Sequence, residues 1–260
     1  MDMKYPELER LVDIIAVLRS ENGCQWDREQ THKSLRPNML EEAYEAVDAI
    51  DENDTNNLRE ELGDVLLQVV LHAQIAKDNG EFNIEDVAKE LADKLIHRHP
   101  HVFGNEKVNS TEDILNNWDK LKKEEKKDRK SVLDGISKSQ SALMSAQKIS
   151  KRVVKIGFEW DSVESLKECI KSEYKEFEEA VLSNDKDKME DEMGDIFFAT
   201  VNLARWYKID AEQALLSANK KFTKRFRKME ELAEKPLNEY SYDEYDKLWK
   251  RAKILIDKEV

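Results

Sequence analysis

Apolar residues recur at every third or fourth position in several long segments of the chain. The clearest segments are 7–20, 39–52 and 58–77, in which polar residues fill the remaining positions. This spacing marks one face of an amphipathic helix, because 3.6 residues complete a helical turn. The polar sequence DENDTNN at 51–57 predicts a turn between the second and third segments. The pattern therefore predicts long helices joined by short polar connections.

The chain also contains an internal repeat. Shifting the sequence by 131 residues aligns 41–74 with 172–205 without a gap, and 10 of the 34 pairs are identical. Chance gives about two or three identities in such an alignment, so the match indicates a duplication. The sequence GCQWD at 23–27 also returns as GFEWD at 157–161.

A charged and then small, polar segment at 122–140 separates the two copies and is typical of an exposed connector. We therefore expect two tandem domains, 1–130 and 131–260. Each is long enough to bury a core of its own. The helical periodicity within each copy predicts a small bundle, similar to a four-helix bundle.

Composition agrees with an all-α fold, because 7 Gly and 4 Pro in 260 residues leave little material for the turns of a β protein. The net charge of −13 opposes binding to nucleic acid, which requires Lys and Arg against phosphates. The sequence contains no run of about 18 apolar residues, so it predicts no membrane span. Cys24 and Cys169 match no disulfide or zinc framework, which favours a cytoplasmic location.

Four acidic residues stand at helical spacing in the first copy, and the same positions are acidic in the second. They are Glu42, Glu45, Glu61 and Asp64, and then Glu173, Glu176, Glu192 and Asp195. Residues three apart share a helix face, so two antiparallel helices would bring the two pairs of one copy together. At about 5 Å, two such charges repel by roughly 3 kcal/mol at an effective dielectric constant of 20. The arrangement predicts a bound cation.

Ligation by carboxylates alone favours a hard cation, and Mg²⁺ in particular. A di-iron bundle instead uses Glu-x-x-His on two helices, and this chain has that spacing only from Glu29 to His32. An isolated E-E-x-x-E sequence is most often a solvated helix face. Its recurrence in both copies favours the metal site over that alternative.

The sequences LEEAYEAVDAI at 40–50, LREELGDVLLQVV at 58–70 and HRHPHVF at 97–103 resemble the MazG family of nucleoside triphosphate pyrophosphohydrolases. The motif of that family is E-E-x-x-E followed by E-x-x-D, and the resemblance covers almost the whole chain. It implies an all-α fold, dependence on Mg²⁺ with Mn²⁺ as an alternative ion, and a homodimer whose subunits complete each other's bundles. The implied reaction converts a nucleoside triphosphate to the monophosphate and pyrophosphate.

The resemblance also implies roles for single residues. The eight acidic residues become metal ligands, with Glu41 beside them. If the reaction is hydrolysis by a metal-polarised water, Glu41 is the obvious group to accept the proton of that water. One departure stands out, because Ser172 occupies the position of Glu41 in the second copy. We therefore expect the first copy to be the more self-sufficient site.

Cations and aromatic rings at repeated positions are candidates for contact with the triphosphate and the base. They are Lys94, Arg98, Trp118 and Lys122 in the first copy, and Lys221, Arg225, Trp249 and Lys253 in the second. The tryptophans are equally well explained as bundle core, and the cations as solvated or ion-paired surface. For His97, His99 and His101, Pro100 favours capping and packing over metal binding.

Two other functions remain open at this stage. One is a regulatory module that binds Mg-NTP without turnover, with one or both copies catalytically silent. The other is a structural helical adaptor whose acidic clusters are only charged surface. The chain has no G-x-x-x-x-G-K-[ST] sequence, which disfavours a P-loop NTPase.

Overall fold

The computed structural model describes residues 5–125 and 129–257, and these residues contain helices and no strand. The prediction of an all-α fold is thereby confirmed. The chain divides into two compact units, 1–127 and 128–260. Among the described helices, none is long and apolar enough to cross a membrane.

The first unit contains seven described helices. They are α1 (Pro6–Leu18), α2 (Gln25–Glu29), α3 (Arg36–Glu52), α4 (Thr55–Asp78), α5 (Ile84–Arg98), α6 (Pro100–Phe103) and α7 (Thr111–Glu124). Its core lies between α1 and α4, where Ile15 packs with Val70, Leu71 and Ile75. Leu35, immediately before α3, completes this cluster. Helix α4 is therefore the central element of the unit.

A tight connection joins α3 to α4. Asn53 adopts the left-handed conformation with φ of 57°, and the Asp54 side chain accepts hydrogen bonds from the backbone amides of Asn56 and Asn57. Asn tolerates this conformation, and an Asp cap satisfies amides that the helix itself leaves unpaired. The predicted turn at 51–57 was too long, because both helices continue into it from either side.

The second unit repeats the plan of the first. Its helices are α8 (Ala142–Val154), α9 (Val163–Ser183), α10 (Lys186–Trp206), α11 (Ala211–Leu232) and α12 (Tyr242–Ile256), with a 3₁₀ turn at Leu237–Glu239. Asn184, with φ of 53°, and Asp185 connect α9 to α10 in the way that Asn53 and Asp54 connect α3 to α4. The predicted connector at 122–140 was also too long at its start, since α7 extends to Glu124.

Helices α11 and α12 form a second hairpin in this unit. Met229, Leu248 and Ala252 are buried between them, and the rings of Phe226 and Trp249 pack around that cluster. A capping box begins α12, in which Ser241 and Glu244 each accept a hydrogen bond from the other's backbone amide. The second unit thus presents one acidic hairpin, α9–α10, and one aromatic hairpin, α11–α12.

Candidate metal centres

Three carboxylates meet on the α3–α4 hairpin of the first unit. Glu42 and Glu45 lie one turn apart on α3, and Glu61 lies on α4 at the same distance along the chain from Asn53 as Glu45. An antiparallel pair of helices places such residues side by side. One carboxylate oxygen from each of the three glutamates lies within 4.8 Å of the other two. We call this group the first acidic cluster.

The second unit contains the same arrangement on α9 and α10. Carboxylate oxygens of Glu173, Glu176 and Glu192 also lie within 4.8 Å of one another, and we call this group the second acidic cluster. In both clusters the first and third glutamates are half-buried and the middle one is exposed. The duplication seen in the sequence thus extends to the geometry of the carboxylates.

Asp64 and Asp195 stand one turn beyond the glutamates on α4 and α10, outside the groups of three. Asp64 is half-buried and Asp195 is exposed. Each is close enough to its cluster to shift the pKa of a glutamate there. Glu41, adjacent to Glu42 on α3, is exposed.

Burial and repulsion between carboxylates raise the pKa of three of these glutamates, Glu42, Glu61 and Glu192. Partial burial raises the pKa of Glu42, and the charges of Asp64, Glu45 and Glu41 raise it further. The pKa of Glu61 is raised by desolvation and by four acidic neighbours, with Glu45 the strongest among them. For Glu192, desolvation and then Glu176 raise the pKa in the same way.

Among the side chains that the structure describes, none provides a compensating cation in ion-pair contact with either cluster. Within 5–125 and 129–257, no Lys or Arg nitrogen lies within 4.0 Å of a carboxylate oxygen of the eight predicted ligands. Three oxygen donors gathered at partly exposed positions, with uncompensated charge, suit a hard divalent cation that keeps water among its ligands. Magnesium therefore fits both clusters.

Neither acidic cluster includes a histidine. His32 pairs instead with His72, their Nδ1 atoms 2.7 Å apart, and neither is among the residues gathered in the clusters. His99 donates from Nδ1 to the Leu95 carbonyl at 2.6 Å, and its ring packs 6.1 Å from that of Trp118. His99 therefore has the packing role that the sequence favoured for it.

Neutral donors distinguish the second cluster from the first. Ser172 Oγ donates to Glu176 Oε1 at 3.1 Å, and Cys169 Sγ donates to Glu173 Oε1 at 3.5 Å. Desolvation and then the hydrogen bond to Glu173 raise the pKa of the Cys169 thiol. Sequence reasoning missed Cys169, although its position four residues before Glu173 on a helix was the available signal.

In the first unit, the predicted substrate contacts lie on helices other than those of the acidic cluster. Lys94 and Arg98 are on α5, and Trp118 and Lys122 are on α7. Lys122 Nζ lies 4.1 Å from the centre of the Trp118 ring, so this pair shares a helix face. Arg98 forms an ion pair with Glu125, the residue that follows α7.

The second unit places its predicted contacts on the α11–α12 hairpin. Arg225 Nη2 lies 2.7 Å from Asp257 Oδ1. That hydrogen bond, followed by the charges of Arg225, Lys253 and Lys221, lowers the pKa of Asp257 against a smaller opposing effect of desolvation. The Trp249 ring packs against Phe222, with 5.1 Å between ring centres. All three cations therefore act electrostatically on a single carboxylate, and Arg225 is hydrogen-bonded to it.

Comparison with known proteins gives consistent results for both units. The model of the MazG nucleotide pyrophosphohydrolase domain matches residues 30–103 and 161–229. A Thermotoga maritima protein named nucleoside triphosphate pyrophosphohydrolase/pyrophosphatase MazG is 46% identical over 249 residues, which cover 94% of this chain and 95% of that protein. The Escherichia coli strain K12 nucleoside triphosphate pyrophosphohydrolase is 45% identical over 233 residues, or 87% and 88% of the two chains.

The duplicated arrangement also occurs within a longer protein. The uncharacterized protein YabN of Bacillus subtilis strain 168 is 46% identical over 254 residues, which cover 96% of this chain and 52% of that protein.

Proposed function

This chain belongs to the MazG nucleotide pyrophosphohydrolase family, and we propose that it hydrolyses nucleoside triphosphates to monophosphates and pyrophosphate in a Mg²⁺-dependent reaction. The observation that carries the proposal is the recurrence, in both units, of three glutamate oxygens within 4.8 Å of one another. Carboxylates at such spacing, without a protein cation, gain most from an ion that also binds phosphate oxygens.

The acidic residues would hold the ion. In the first unit the ligands are Glu42, Glu45, Glu61 and Asp64, and in the second they are Glu173, Glu176, Glu192 and Asp195. When bound, Mg²⁺ supplies charge neutralisation for the triphosphate and a polarised water for attack on phosphorus. The raised pKa values of Glu42, Glu61 and Glu192 support this assignment, since desolvation is followed in each case by the charges of acidic neighbours, which a cation would offset.

Other residues of the chain would accept the proton, neutralise the phosphates and hold the base. Glu41 is exposed and adjacent to the first cluster, so it can accept the proton that the attacking water loses. Arg98, Lys94 and Lys122 in one unit, and Arg225, Lys221 and Lys253 in the other, neutralise the phosphates of the substrate. The rings of Trp118 and Trp249 hold the base beside these cations. Attack at the α-phosphorus then releases pyrophosphate.

We further propose that the functional form is a homodimer. The cations lie on α5, α7, α11 and α12, whereas the acidic clusters lie on the α3–α4 and α9–α10 hairpins. Those hairpins also expose large apolar side chains: Tyr44, Leu62, Tyr174 and Phe197. Apolar surface of this kind beside a charged site favours a protein contact. A second copy would cover these side chains and bring its own cations to the clusters.

Product identification tests the proposed reaction. The protein is incubated with each NTP and dNTP and Mg²⁺ in ¹⁸O-labelled water, and products are identified by mass spectrometry. We expect monophosphate and pyrophosphate, with the label in the monophosphate, and no turnover in EDTA. Label found only in pyrophosphate would contradict attack at the α-phosphorus, and a diphosphate product would contradict the reaction itself.

A regulatory module that binds Mg-NTP without turnover is the second candidate. It is favoured at the second unit by Ser172, which stands where the first unit has Glu41 and donates to Glu176. In that unit the ligands are present and the acidic neighbour is absent. Binding of a triphosphate by a Glu61→Gln variant that no longer releases pyrophosphate would assign this role to the second unit.

A further inference from the structure

One ion pair recurs in both units at an equivalent place in the fold. Helix α7 ends at Glu124 and is followed by Glu125, which pairs with Arg98 of α5. Helix α12 ends at Ile256 and is followed by Asp257, which pairs with Arg225 of α11. Each unit therefore carries a carboxylate directly after its last helix, against an arginine that we propose as a phosphate contact.

The position of these carboxylates is unfavourable apart from the arginine. The end of a helix carries partial negative charge on unpaired carbonyl groups, so an acidic residue there is repelled. Arg98 offsets this through two hydrogen bonds, one of them from Nε to Glu125 Oε1 at 3.0 Å. Arg225 offsets it through Nη2 alone. Each carboxylate therefore shares hydrogen bonds with a group that also binds phosphate, while His97 Nε2 lies 4.0 Å from Glu125 Oε1 and the charges of Lys253 and Lys221 also act on Asp257.

The two side chains of each ion pair differ in their burial. The side chains of Arg98 and Arg225 are 11% and 14% exposed, whereas those of Glu125 and Asp257 are 25% and 48% exposed. The guanidinium is thus fixed by its surroundings, and the carboxylate is the member that can leave toward solvent. Arg225 Nε is also buried without a hydrogen-bond partner, so this guanidinium has an unused donor.

Charge favours replacement of the carboxylate by a polyphosphate. Asp257 carries one negative charge among Arg225, Lys221 and Lys253, and all three act on it electrostatically. A triphosphate has more charge and more acceptor oxygens, and guanidinium binds phosphate in a bidentate, charge-assisted manner. Three cations are therefore better satisfied by the triphosphate than by Asp257.

From these observations we propose that Glu125 and Asp257 are internal competitors that occupy the arginines until a triphosphate displaces them. The inference rests on the proposed function. Competition raises the dissociation constant of every phosphate ligand that contacts the guanidinium. It therefore weakens retention of the pyrophosphate product as well as binding of the substrate.

Isosteric neutral variants test this proposal. Asp257→Asn and Glu125→Gln are titrated calorimetrically with inorganic tripolyphosphate in Mg²⁺, after circular dichroism has shown native helix content. Each variant should bind about two- to fivefold more tightly than the wild type, the range given by loss of one ion pair whose carboxylate is partly open to solvent. The KM for the triphosphate and the inhibition constant of pyrophosphate should fall by similar factors.

Two further variants separate competition from a general change in charge. Glu231→Gln removes a negative charge from α11 at a glutamate whose side chain is 64% exposed and pairs with Lys228, and it should change binding less than Asp257→Asn does. In an Arg225→Gln background, Asp257→Asn should give no further gain, because the guanidinium that it frees is absent.

The outcomes also distinguish this inference from the proposed function. Tripolyphosphate binding by the wild type with equal or weaker binding by Asp257→Asn and Glu125→Gln would overturn the competitor role. The carboxylates would then be positioning residues for the arginines. Absence of both binding and hydrolysis in the wild type would overturn the proposed function, and the competitor role with it.

Discussion

The glutamates of the two acidic clusters have different neighbours one helical turn before them. Glu176 and Glu173 each accept a hydrogen bond from a neutral donor, Ser172 and Cys169. In the first cluster, Ser172 is replaced by Glu41, whose charge adds to burial, Asp64 and Glu45 in raising the pKa of Glu42. Two sites with the same ligands therefore differ in charge and in the proton acceptor available to them.

This difference predicts unequal effects of equivalent substitutions. Glu61→Gln and Glu192→Gln each remove one carboxylate from one cluster, and we expect the double variant to be inactive. Glu61→Gln should cost more, because only the first site has Glu41 as a proton acceptor. Loss of such a supporting group typically changes activity by about 10- to 100-fold. Pyrophosphate release under saturating Mg²⁺ is the measurement.

The reverse pattern would change the ranking of the sites. If Glu192→Gln abolished turnover and Glu61→Gln left it intact, the second cluster would be the catalytic one. Ser172→Glu is the matched gain-of-function variant, since it restores the acidic residue of the first motif. It should raise turnover in a Glu61→Gln background if the acidic neighbour is what the second site lacks.

Cys169 offers a direct report on occupancy of the second cluster. Its thiol pKa is raised by desolvation, by the hydrogen bond to Glu173 and by the charges of Glu173, Glu176 and Asp195. A divalent cation on these carboxylates offsets the negative charges of Glu173, Glu176 and Asp195. A larger fraction of Cys169 should therefore be thiolate at a given pH. Alkylation of Cys169 by iodoacetamide should therefore be faster in Mg²⁺ than in EDTA.

The second cysteine provides the control for this experiment. Cys24 is also partly exposed and precedes α2 in the first unit, where no acidic cluster member contacts it. Its alkylation rate, followed by peptide mass spectrometry in the same sample, should not change with Mg²⁺. Equal acceleration of both cysteines would indicate a global effect and would remove the support for metal at the second cluster.

At the scale of the helices, the connection within each acidic hairpin fixes the spacing of the carboxylates. Asp54 and Asp185 cap the helices that carry Glu61 and Glu192. Asp54→Ala and Asp185→Ala should each lower the free energy of unfolding by about 1 kcal/mol, the usual cost of a lost N-cap. Urea denaturation measures this, and an unchanged midpoint in both variants would contradict the assigned capping role.

Helical periodicity in the sequence predicts the α3 and α4 helices, and the alignment of the sequence with itself predicts the duplication. The carboxylates could be paired from their spacing alone, since residues three apart on a helix share a face. The end of α3 and the start of α4 could not be predicted as accurately. The left-handed conformation of Asn53 shortens the turn between them, and this conformation depends on how the hairpin closes.

The pairing of the predicted cations was beyond sequence reasoning for a different reason. Arg98 and Glu125 are distant along the chain, as are Arg225 and Asp257. No periodic pattern relates them, because they meet only after separate helices have packed. The sequence indicated which residues could bind phosphate, while the folded chain determines which acceptor each arginine contacts without substrate.

At the scale of the whole molecule, the acidic clusters add to a chain whose net charge is already −13. Such a charge makes the compact state electrostatically costly, since folding gathers carboxylates that the unfolded chain keeps apart. At Glu42, Glu61 and Glu192, desolvation and then this repulsion raise the pKa. Metal binding and protonation are therefore alternative ways to relieve the same repulsion.

The sign of the pH dependence follows from these shifts. A glutamate with a raised pKa keeps its proton in the folded state at a pH where the unfolded chain, with the ordinary value of 4.5, has released it. The folded state then binds more protons, so the contribution of these groups to stability falls as pH rises above that value. In EDTA, we expect Glu42→Gln combined with Glu192→Gln to reduce this loss, measured by thermal unfolding at a series of pH values.

Mg²⁺ should reverse the same loss, because it binds the ionised carboxylates only where folding has gathered them. A ligand at a hundredfold excess over its dissociation constant stabilises the native state by about 2.7 kcal/mol. We expect the melting temperature at neutral pH to rise between EDTA and millimolar Mg²⁺, and the gain to shrink as the pH falls and the glutamates take up protons. The Glu42→Gln, Glu192→Gln variant should be more stable than the wild type in EDTA yet gain less from Mg²⁺. An equal melting temperature in EDTA and Mg²⁺ for the wild type would count directly against metal binding at either cluster.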